Sequence, residues 1–305
     1  MTPIRSAVTL ALVLSAGVAH AQNPIVSSPV TRTQVVVLGS GTPVADPDRF
    51  GPAVVIVVDS SVYLFDAGVG VVRRWAGALK NGVAPLNPAG IRTAFITHLH
   101  TDHTLGLPEL IFSSWTLSND SRPFDLYGPP GLRAMTRHIL EAYEEDIEIR
   151  TGAGGEKANS GPPVVRAHEI DSGVVYHDRL VSVTAFPVKH GTWKHAFGYR
   201  VQTPDKVIVL SGDTSPSETV ARECSGCDIL VHEGGSVTDS AATPYFRKFH
   251  TTVEGLARIA NMAKPKMLVL YHQRPTSPAT ARAYALLKTL YSGSLVVARD
   301  LDVFR

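Results

Sequence analysis

The amino-acid sequence predicts an α/β fold in which β-sheets pack in layers with helices on the outside. Two features of the 305 residues predict it. Short apolar runs rich in Val, Ile and Phe dominate the first part of each half of the chain, and stretches of helical composition follow them. The sequence shows no repeat with a fixed short period, so nothing indicates a repeat architecture.

The first 21 residues have the organisation of a secretory signal peptide, which leaves residues 22–305 as a single domain. Arg5 precedes an apolar stretch from Ala7 to Val18, and the segment ends in Ala-His-Ala. We expect cleavage after Ala21 and a periplasmic or secreted protein. An uncleaved anchor is the alternative, but no apolar stretch reaches the ~20 residues of a membrane span. We therefore expect no membrane partner after cleavage.

The first half of the domain contains five apolar runs that end at glycine, proline or polar turns. A strand ending in a glycine turn is expected in TQVVVLGSGTP (33–43), and two strands joined by a polar turn are expected in AVVIVVDSSVYLFDAG (53–68). Two further strands are expected in IRTAFITH (91–98) and FDLYG (124–128). Helices are expected at Val69–Lys80, Leu105–Ser114 and Leu132–Ile147. Residues 151–163 are rich in Gly, Pro and Ser and predict a mobile loop, which we expect to flank the entrance of the candidate metal site described below.

The second half repeats this succession of strands and helices. Strands are expected in VVRAHEI (164–170), GVVYHD (173–178), LVSVTAFPVKH (180–190), FGYRVQT (197–203), KVIVLSGDT (206–214), DILVHEGG (228–235), KMLVLYH (266–272) and SLVVARD (294–300). Helices are expected after Pro216, at Thr251–Ala263 and at Ala279–Tyr291. Cys224 and Cys227 are expected as small buried residues, with a local disulfide as the alternative.

Four metal-binding side chains crowd into six positions of FITHLHTDHTLG, residues 95–106. His98 and His100 are two residues apart at a strand end, so both side chains point to one face. Asp102 and His103 follow in the turn and can approach the same volume. Imidazole and carboxylate ligands suit Zn²⁺, Fe or Mn²⁺. Ordinary polar residues would not be expected at this density directly after a buried strand.

Three more polar residues follow apolar strands elsewhere: His190, Asp213 and His272. Burying such groups costs free energy unless they are paired or bound to a metal. Each has a simpler explanation when taken alone, as a loop donor, a turn former or a core histidine. Together with the cluster they make seven ligands, enough for two metal ions that share one carboxylate.

These motifs resemble the metallo-β-lactamase superfamily. THLHTDH, then His190, SGDT and YH, carry the resemblance. The early LGSGTP and FDAG, and the later VHEGG and FHTT, are more similar to the ribonuclease Z and arylsulfatase-like branch. The resemblance spans about residues 33–300 and implies an αββα sandwich of two mixed sheets with helices on the outer faces.

The resemblance also implies roles for individual residues around two Zn²⁺ ions. One ion would be held by His98, His100 and His190. The other would be held by Asp102, His103 and His272, with Asp102 also part of the catalytic group. Asp213 would bridge the ions, and Asp66 would orient a ligand histidine. His250 would protonate the leaving group with Glu233 orienting it; the alternative for His250 is a cap on the following helix.

The sequence argues against transfer RNA as a partner. In one subtype of ribonuclease Z a long RNA-gripping arm separates the strands equivalent to FGYRVQT and KVIVLSGD, and here only a short turn at Pro204 and Asp205 does so. The formal charge of +2 also indicates no surface devoted to binding polyanions. An exported protein would meet no precursor transfer RNA.

The expected function is therefore an exported dinuclear zinc hydrolase of small phosphodiesters or aryl sulfate esters, which could be a homodimer. Two metal ions would supply a hydroxide nucleophile at neutral pH. A lactonase or β-lactamase is a second enzyme hypothesis, disfavoured by the HTT and HEGG elements. A non-catalytic metal-binding protein is a third, although it would need neither a bridging carboxylate nor a proton donor.

Overall fold

A computed structural model describes residues 32–83, 90–118, 122–152 and 161–305. The predicted signal peptide and its cleavage site lie outside these residues, as do residues 153–160 of the predicted loop. Within the described part of the chain, no helix has both the length and the apolar character that crossing a membrane requires.

The first of two seven-stranded sheets is built mainly from the first half of the chain. Its strands are β1 (Thr33–Gly39), β2 (Ala53–Val58), β3 (Ser61–Phe65), β4 (Thr93–Phe95), β5 (Phe124–Gly128), β6 (Val165–Glu169) and β14 (Val303–Phe304). Their order is β14-β1-β2-β3-β4-β5-β6. The sheet is antiparallel from β14 to β3 and parallel from β3 to β6.

The second sheet has the same plan. Its strands are β7 (Gly173–His177), β8 (Ser182–Pro187), β9 (Phe197–Gln202), β10 (Val207–Leu210), β11 (Ile229–His232), β12 (Met267–Leu270) and β13 (Leu295–Val297). They lie in chain order across the sheet, antiparallel from β7 to β10 and parallel from β10 to β13. The two residues of β14, which the sequence did not predict, return to the first sheet beside β1.

Helices follow strands as predicted, with some differences. They are α1 (Val71–Lys80), α2 (Thr101–Thr104), α3 (Leu107–Ser118), α4 (Leu132–Ala142), α5 (Glu144–Thr151), α6 (Glu218–Cys224), α7 (Pro244–Phe249), α8 (Val253–Ala263) and α9 (Pro278–Leu290), with a 3₁₀ turn at Asp239–Ala241. The helix expected at Leu132–Ile147 is two helices, because Tyr143 leaves helical geometry at φ −114° and ψ 19°. Helix α7 was not predicted, and neither was the single turn of α2, because Asp102 and His103 were expected in a turn.

Three apolar layers hold the structure together and confirm the αββα sandwich. Alternate residues of β1 show the principle: Val35 and Val37 point between the sheets, whereas Val36 and Leu38 point outward. The layer between the sheets includes Phe65, Phe95, Tyr199, Val231 and Val269. One outer layer receives Trp75 and Leu107 from helices, and the other receives Leu256 and Leu287. Burial of these faces is the main stabilising contribution.

Cys224 and Cys227 are joined by a disulfide at the end of α6. The expectation that they are separate thiols was wrong, although both are buried as expected. Their Cα atoms lie 4.8 Å apart, within the range that a disulfide can bridge.

Candidate metal centre

The site lies where parallel strands of both sheets end. Asp66 follows β3 and the THLHTDH segment follows β4, while Asp213, Glu233 and His272 follow β10, β11 and β12. Parallel neighbours deliver the residues after their carboxyl ends to the same edge of a sheet. Because the two sheets face each other, their two edges bring residues that are far apart in sequence into one cluster.

Three imidazoles form the first group of possible ligands. His100 Nδ1 lies 2.9 Å from His98 Nε2 and 3.0 Å from His190 Nε2. Atoms of these rings and of Asp213 all lie within 4.8 Å of one another. Three imidazole nitrogens at these distances could bind a single ion.

Asp102, His103 and His272 form the second group. Asp102 Oδ2 lies 3.1 Å from His272 Nε2 and 3.5 Å from His103 Nε2. Asp102 and His103 belong to α2, a single helical turn, and both lie near His272, which follows β12. The four candidate ligands of the motif therefore fall into two groups.

Asp213 lies between the two groups. Its Oδ2 is 3.3 Å from His272 Nε2 and 3.5 Å from His103 Nε2, and the residue also belongs to the first group. Burial opposes its ionisation, yet His272 and His103 hold the pKa of Asp213 well below its ordinary value. Its Oδ1 is buried and has no hydrogen-bond partner among the described residues. An ionised, shared and only partly satisfied carboxylate is what a bridging ligand requires.

Asp66 fixes the orientation of one histidine in each group. Its Oδ2 accepts a hydrogen bond from His103 Nδ1 at 2.8 Å and from Thr97 Oγ1 at 3.0 Å. Thr97 Oγ1 in turn accepts from His98 Nδ1 at 3.0 Å. Both rings therefore carry their proton on Nδ1, which leaves Nε2 free to bind a metal. The His103 Nε2 atom is buried and makes no hydrogen bond among the described residues, although carboxylate oxygens of Asp102 and Asp213 lie 3.5 Å away.

The other two imidazoles of the first group have neighbours that the sequence analysis did not identify. His190 Nδ1 donates to the Phe249 carbonyl at 2.8 Å, which again leaves Nε2 free. Trp193 Nε1 donates to His100 Nε2 at 2.7 Å. Trp193 is 36% exposed, and its only sequence signal is its place three residues after a ligand histidine.

Burial and charge set the protonation of the two groups differently. Burial lowers the pKa of His98 well below its ordinary value, lowers that of His100, and lowers the pKa of His190 to about 4. These rings are therefore neutral at pH 7 and can donate a lone pair. In the second group burial is outweighed by Asp213 and Asp66, which raise the pKa of His103 well above its ordinary value. That proton marks the excess of negative charge in this part of the site.

His250 and Glu233 lie beside the two ligand groups. His250 Nδ1 is 3.5 Å from Glu233 Oε2 and 3.9 Å from Asp213 Oδ2. The other Glu233 oxygen accepts from the backbone of Thr251 at 2.9 Å, which fixes the carboxylate. Burial opposes protonation, but Glu233 raises the pKa of His250 to about 9. His250 does not cap helix α8, because the Thr252 side chain accepts from the Gly255 amide in that role.

The cluster fits divalent metal ions. Asp66, Asp102, Asp213 and Glu233 are 1%, 7%, 2% and 1% exposed, and among the described residues all their ion-pair partners are histidines. Four buried carboxylates without an arginine or lysine would be costly unless cations bind between them. The donor set of imidazoles and carboxylates is that of a divalent-metal site, most typically zinc.

Clefts of about 420 Å³ and about 470 Å³ open beside the cluster. The first is lined by His250, His272 and Glu233 together with residues of α7. The second is lined by Asp102 and by residues 42–47 and 49–51, which follow β1. Residues 42–44 line both clefts. A substrate can therefore approach the cluster along the edge of the sandwich.

Comparisons with known proteins agree with this geometry. A family model described as a β-lactamase superfamily domain matches residues 62–273. Ribonuclease Z of Mycobacterium bovis (strain BCG / Pasteur 1173P2) is 30% identical over 277 residues, covering 88% of this chain and 96% of that protein. Ribonuclease Z of Mycobacterium sp. (strain KMS) is 33% identical over 248 residues, covering 79% and 84%.

Solved structures share the fold. The short form of human tRNase Z aligns with a TM-score of 0.67 and 25% identity, covering 89% of this chain and 98% of that one. The metallo-β-lactamase fold protein YhfI from Bacillus subtilis aligns with a TM-score of 0.68 and 16% identity, covering 89% and 98%.

These relatives correct two expectations from the sequence. A hydrolase of small phosphodiesters or sulfate esters was the wrong function, because the similar proteins are named as ribonucleases. The exclusion of transfer RNA was also wrong, since a similar structure is named tRNase Z. Strands β9 and β10 are indeed joined by only residues 203–206. The missing arm does not outweigh similarity along most of the chain, and the sulfate-ester alternative finds no support among these proteins.

Proposed function

Because the chain belongs to the metallo-β-lactamase superfamily, in its ribonuclease Z branch, we propose that it is a metal-dependent phosphodiesterase that cleaves RNA. The observation that carries the proposal is the pair of ligand groups that share the buried Asp213, with the His250–Glu233 pair beside them. The names of the relatives support RNA as the substrate class, with a transfer RNA precursor as the first RNA to test.

The proposed ligands form the same two groups that their distances define. His98, His100 and His190 would hold one zinc ion; Asp102, His103 and His272 would hold the second; Asp213 would contact both. Zinc ions bound there supply a water-derived nucleophile at neutral pH and polarise the phosphoryl group. Asp102 lies inside the second group, so its contribution to catalysis is to hold the metal.

The chain's own residues provide the proton that the reaction needs. Cleavage of an RNA phosphodiester expels a ribose alkoxide, which is a poor leaving group until it is protonated. His250 is positioned to donate that proton from the cleft, and Glu233 keeps the ring charged and oriented through the 3.5 Å contact. Thr251 and Thr214 hold Glu233 by their backbone amides, so this pair is fixed before substrate arrives.

The test compares substrates on purified protein supplied with zinc. A transfer RNA precursor, an unstructured RNA, a DNA of the same sequence and an aryl sulfate would be incubated with the wild type and with Asp213→Ala. We expect zinc-dependent cleavage of RNA by the wild type only. Intact RNA in every reaction, at full zinc content, would overturn the proposal.

We also propose export, which is a separate matter from the reaction. The charged start, apolar stretch and Ala-His-Ala ending of residues 1–21 support it. The Cys224–Cys227 disulfide is consistent with it, because disulfides persist mainly in oxidising compartments. Mass spectrometry of protein made in an exporting host should find Gln22 as the first residue; retention of Met1–Ala21 would reject the proposal.

A further inference from the structure

We propose that α7 and the cleft beside it bind one unpaired nucleotide next to the scissile phosphodiester, with its base on Tyr245 and Phe246 and a phosphate near Arg274. This inference rests on the proposed RNA substrate and names the part of the RNA that the site recognises. The cleft would also provide contacts to RNA that the short β9–β10 connection does not provide.

The aromatic surface of α7 is built rigidly although the helix is short. Thr243 accepts from the Phe246 amide at 3.1 Å, and Pro244 occupies the first turn, so the start of the helix is fixed. Tyr245 is 65% exposed, which is unusual for a ring of its size. It is held in place because it stacks on Phe249 with centroids 4.4 Å apart and planes 22° apart.

These rings are coupled directly to the metal centre. Phe249 packs edge-on against His190 at 5.2 Å and 90°, and its carbonyl accepts the His190 proton. Gly191 makes this approach possible, because a Cβ at that position would collide with the Phe249 ring. Phe246 packs on His250 at 5.2 Å. A group lying on Tyr245 and Phe246 would occupy the same cleft as the proposed proton donor His250 and the candidate ligand His272.

The cleft has the size and lining that a base requires. Its volume of about 420 Å³ falls in the ~300–1,000 Å³ range of sites for small organic groups. Tyr245, Phe246 and Val237 contribute an apolar wall, and His250 lies at the catalytic end. Base stacking on aromatic side chains tolerates any sequence, because every base has a π-face. Only an unpaired base can reach such a wall, since bases in a duplex are stacked on each other.

Positive charge continues from the cleft along one direction. Arg274 lines this cleft and also an adjoining cavity of about 620 Å³, which Arg282 lines as well. Both arginines are exposed, and neither has an acidic partner within 4.0 Å among the described residues. Guanidinium groups that are free of ion pairs can contact phosphates of the strand that leaves the cleft.

The test measures how tightly the zinc-loaded protein binds two strands. One is a short single-stranded RNA with phosphorothioate linkages, which resist cleavage. The other is an abasic strand of equal length and charge. We expect Tyr245→Ala to weaken binding of the RNA roughly 5- to 150-fold, as stacking of one base implies, and to leave the abasic strand unchanged. Arg274→Ala should weaken both strands equally and reduce the salt dependence of binding.

Tyr143→Ala is the matched control. Tyr143 is 44% exposed and packs on Phe112 with the same centroid separation of 4.4 Å as Tyr245 on Phe249, although its planes are tilted by 41°, and it lines neither cleft. It should bind both strands like the wild type. If Tyr245→Ala weakened binding of both strands equally, or of neither, the proposed base-stacking site on Tyr245 and Phe246 would be overturned, while RNA cleavage by the wild type would remain intact. Base-dependent binding without any cleavage of ordinary RNA would support the base-stacking site on Tyr245 and Phe246 and overturn the proposed function.

Discussion

Replacing His250 with Ala tests whether this residue protonates the leaving group. Glu233 raises the pKa of His250 to about 9, so the ring carries a proton at pH 7. Bound cations would lower the pKa toward neutrality, where a general acid is most effective. Removing the donor should slow RNA cleavage by roughly 10²–10⁴-fold, which is about 2.7–5.5 kcal/mol of transition-state free energy. Both metal ions should remain bound.

The assay compares leaving groups on the same variant. Nitrophenolate is a good leaving group that needs no proton. His250→Ala should therefore cleave a nitrophenyl phosphodiester nearly as fast as the wild type does. Thr252→Ala is the control for a merely structural effect, because Thr252 is the residue that caps α8. It should lose about 1 kcal/mol of stability and keep its rate. The acid role would be refuted by an equal rate loss for alkoxide and nitrophenolate leaving groups, or by a His250→Ala variant that has lost its metal.

Three other predictions concern the metal ions and the residues around them. Asp213→Ala should hold fewer than two zinc ions per chain in elemental analysis, because the shared carboxylate is gone; a variant that keeps two would show that Asp213 is no bridge. Asp66→Asn should weaken zinc binding about 10- to 100-fold in competition with a chromophoric chelator. Its fold should be retained, since asparagine tolerates the φ of 60° found there. Trp193 fluorescence should change when zinc is added. If His100 held zinc through Nδ1, its ring proton would be on Nε2, and Nε2 could no longer accept the hydrogen bond from Trp193. An unchanged spectrum at full zinc loading would contradict that arrangement.

The sequence predicted which candidate ligands lie together, because these residues occupy positions with a regular physical meaning. His98 to His103 follow one strand directly, and Asp213 and His272 each follow an apolar run that could only be a buried strand. The packing of two sheets then brings these ends together. Strand lengths were less predictable, as the three residues of β4 within a longer apolar run show.

The parts that were missed have no periodic signal. Helix α7 is six residues long, too short for an amphipathic pattern, and β14 is two residues long. The disulfide depends on a turn in which Ser225 and Gly226 both have positive φ, which spacing alone does not reveal. The exclusion of transfer RNA failed for another reason: one missing arm says nothing about the remaining surfaces that can hold RNA.

The dependence of RNA cleavage on the zinc bound per chain tests whether two metal ions carry the reaction. Metal-free protein would be titrated with zinc, and the bound metal and the initial rate on a transfer RNA precursor would be measured in the same samples. We expect no cleavage without metal and a rate that reaches its maximum as the chain binds its second ion. Full activity with one ion, or intact RNA in a chain that holds two, would contradict this expectation.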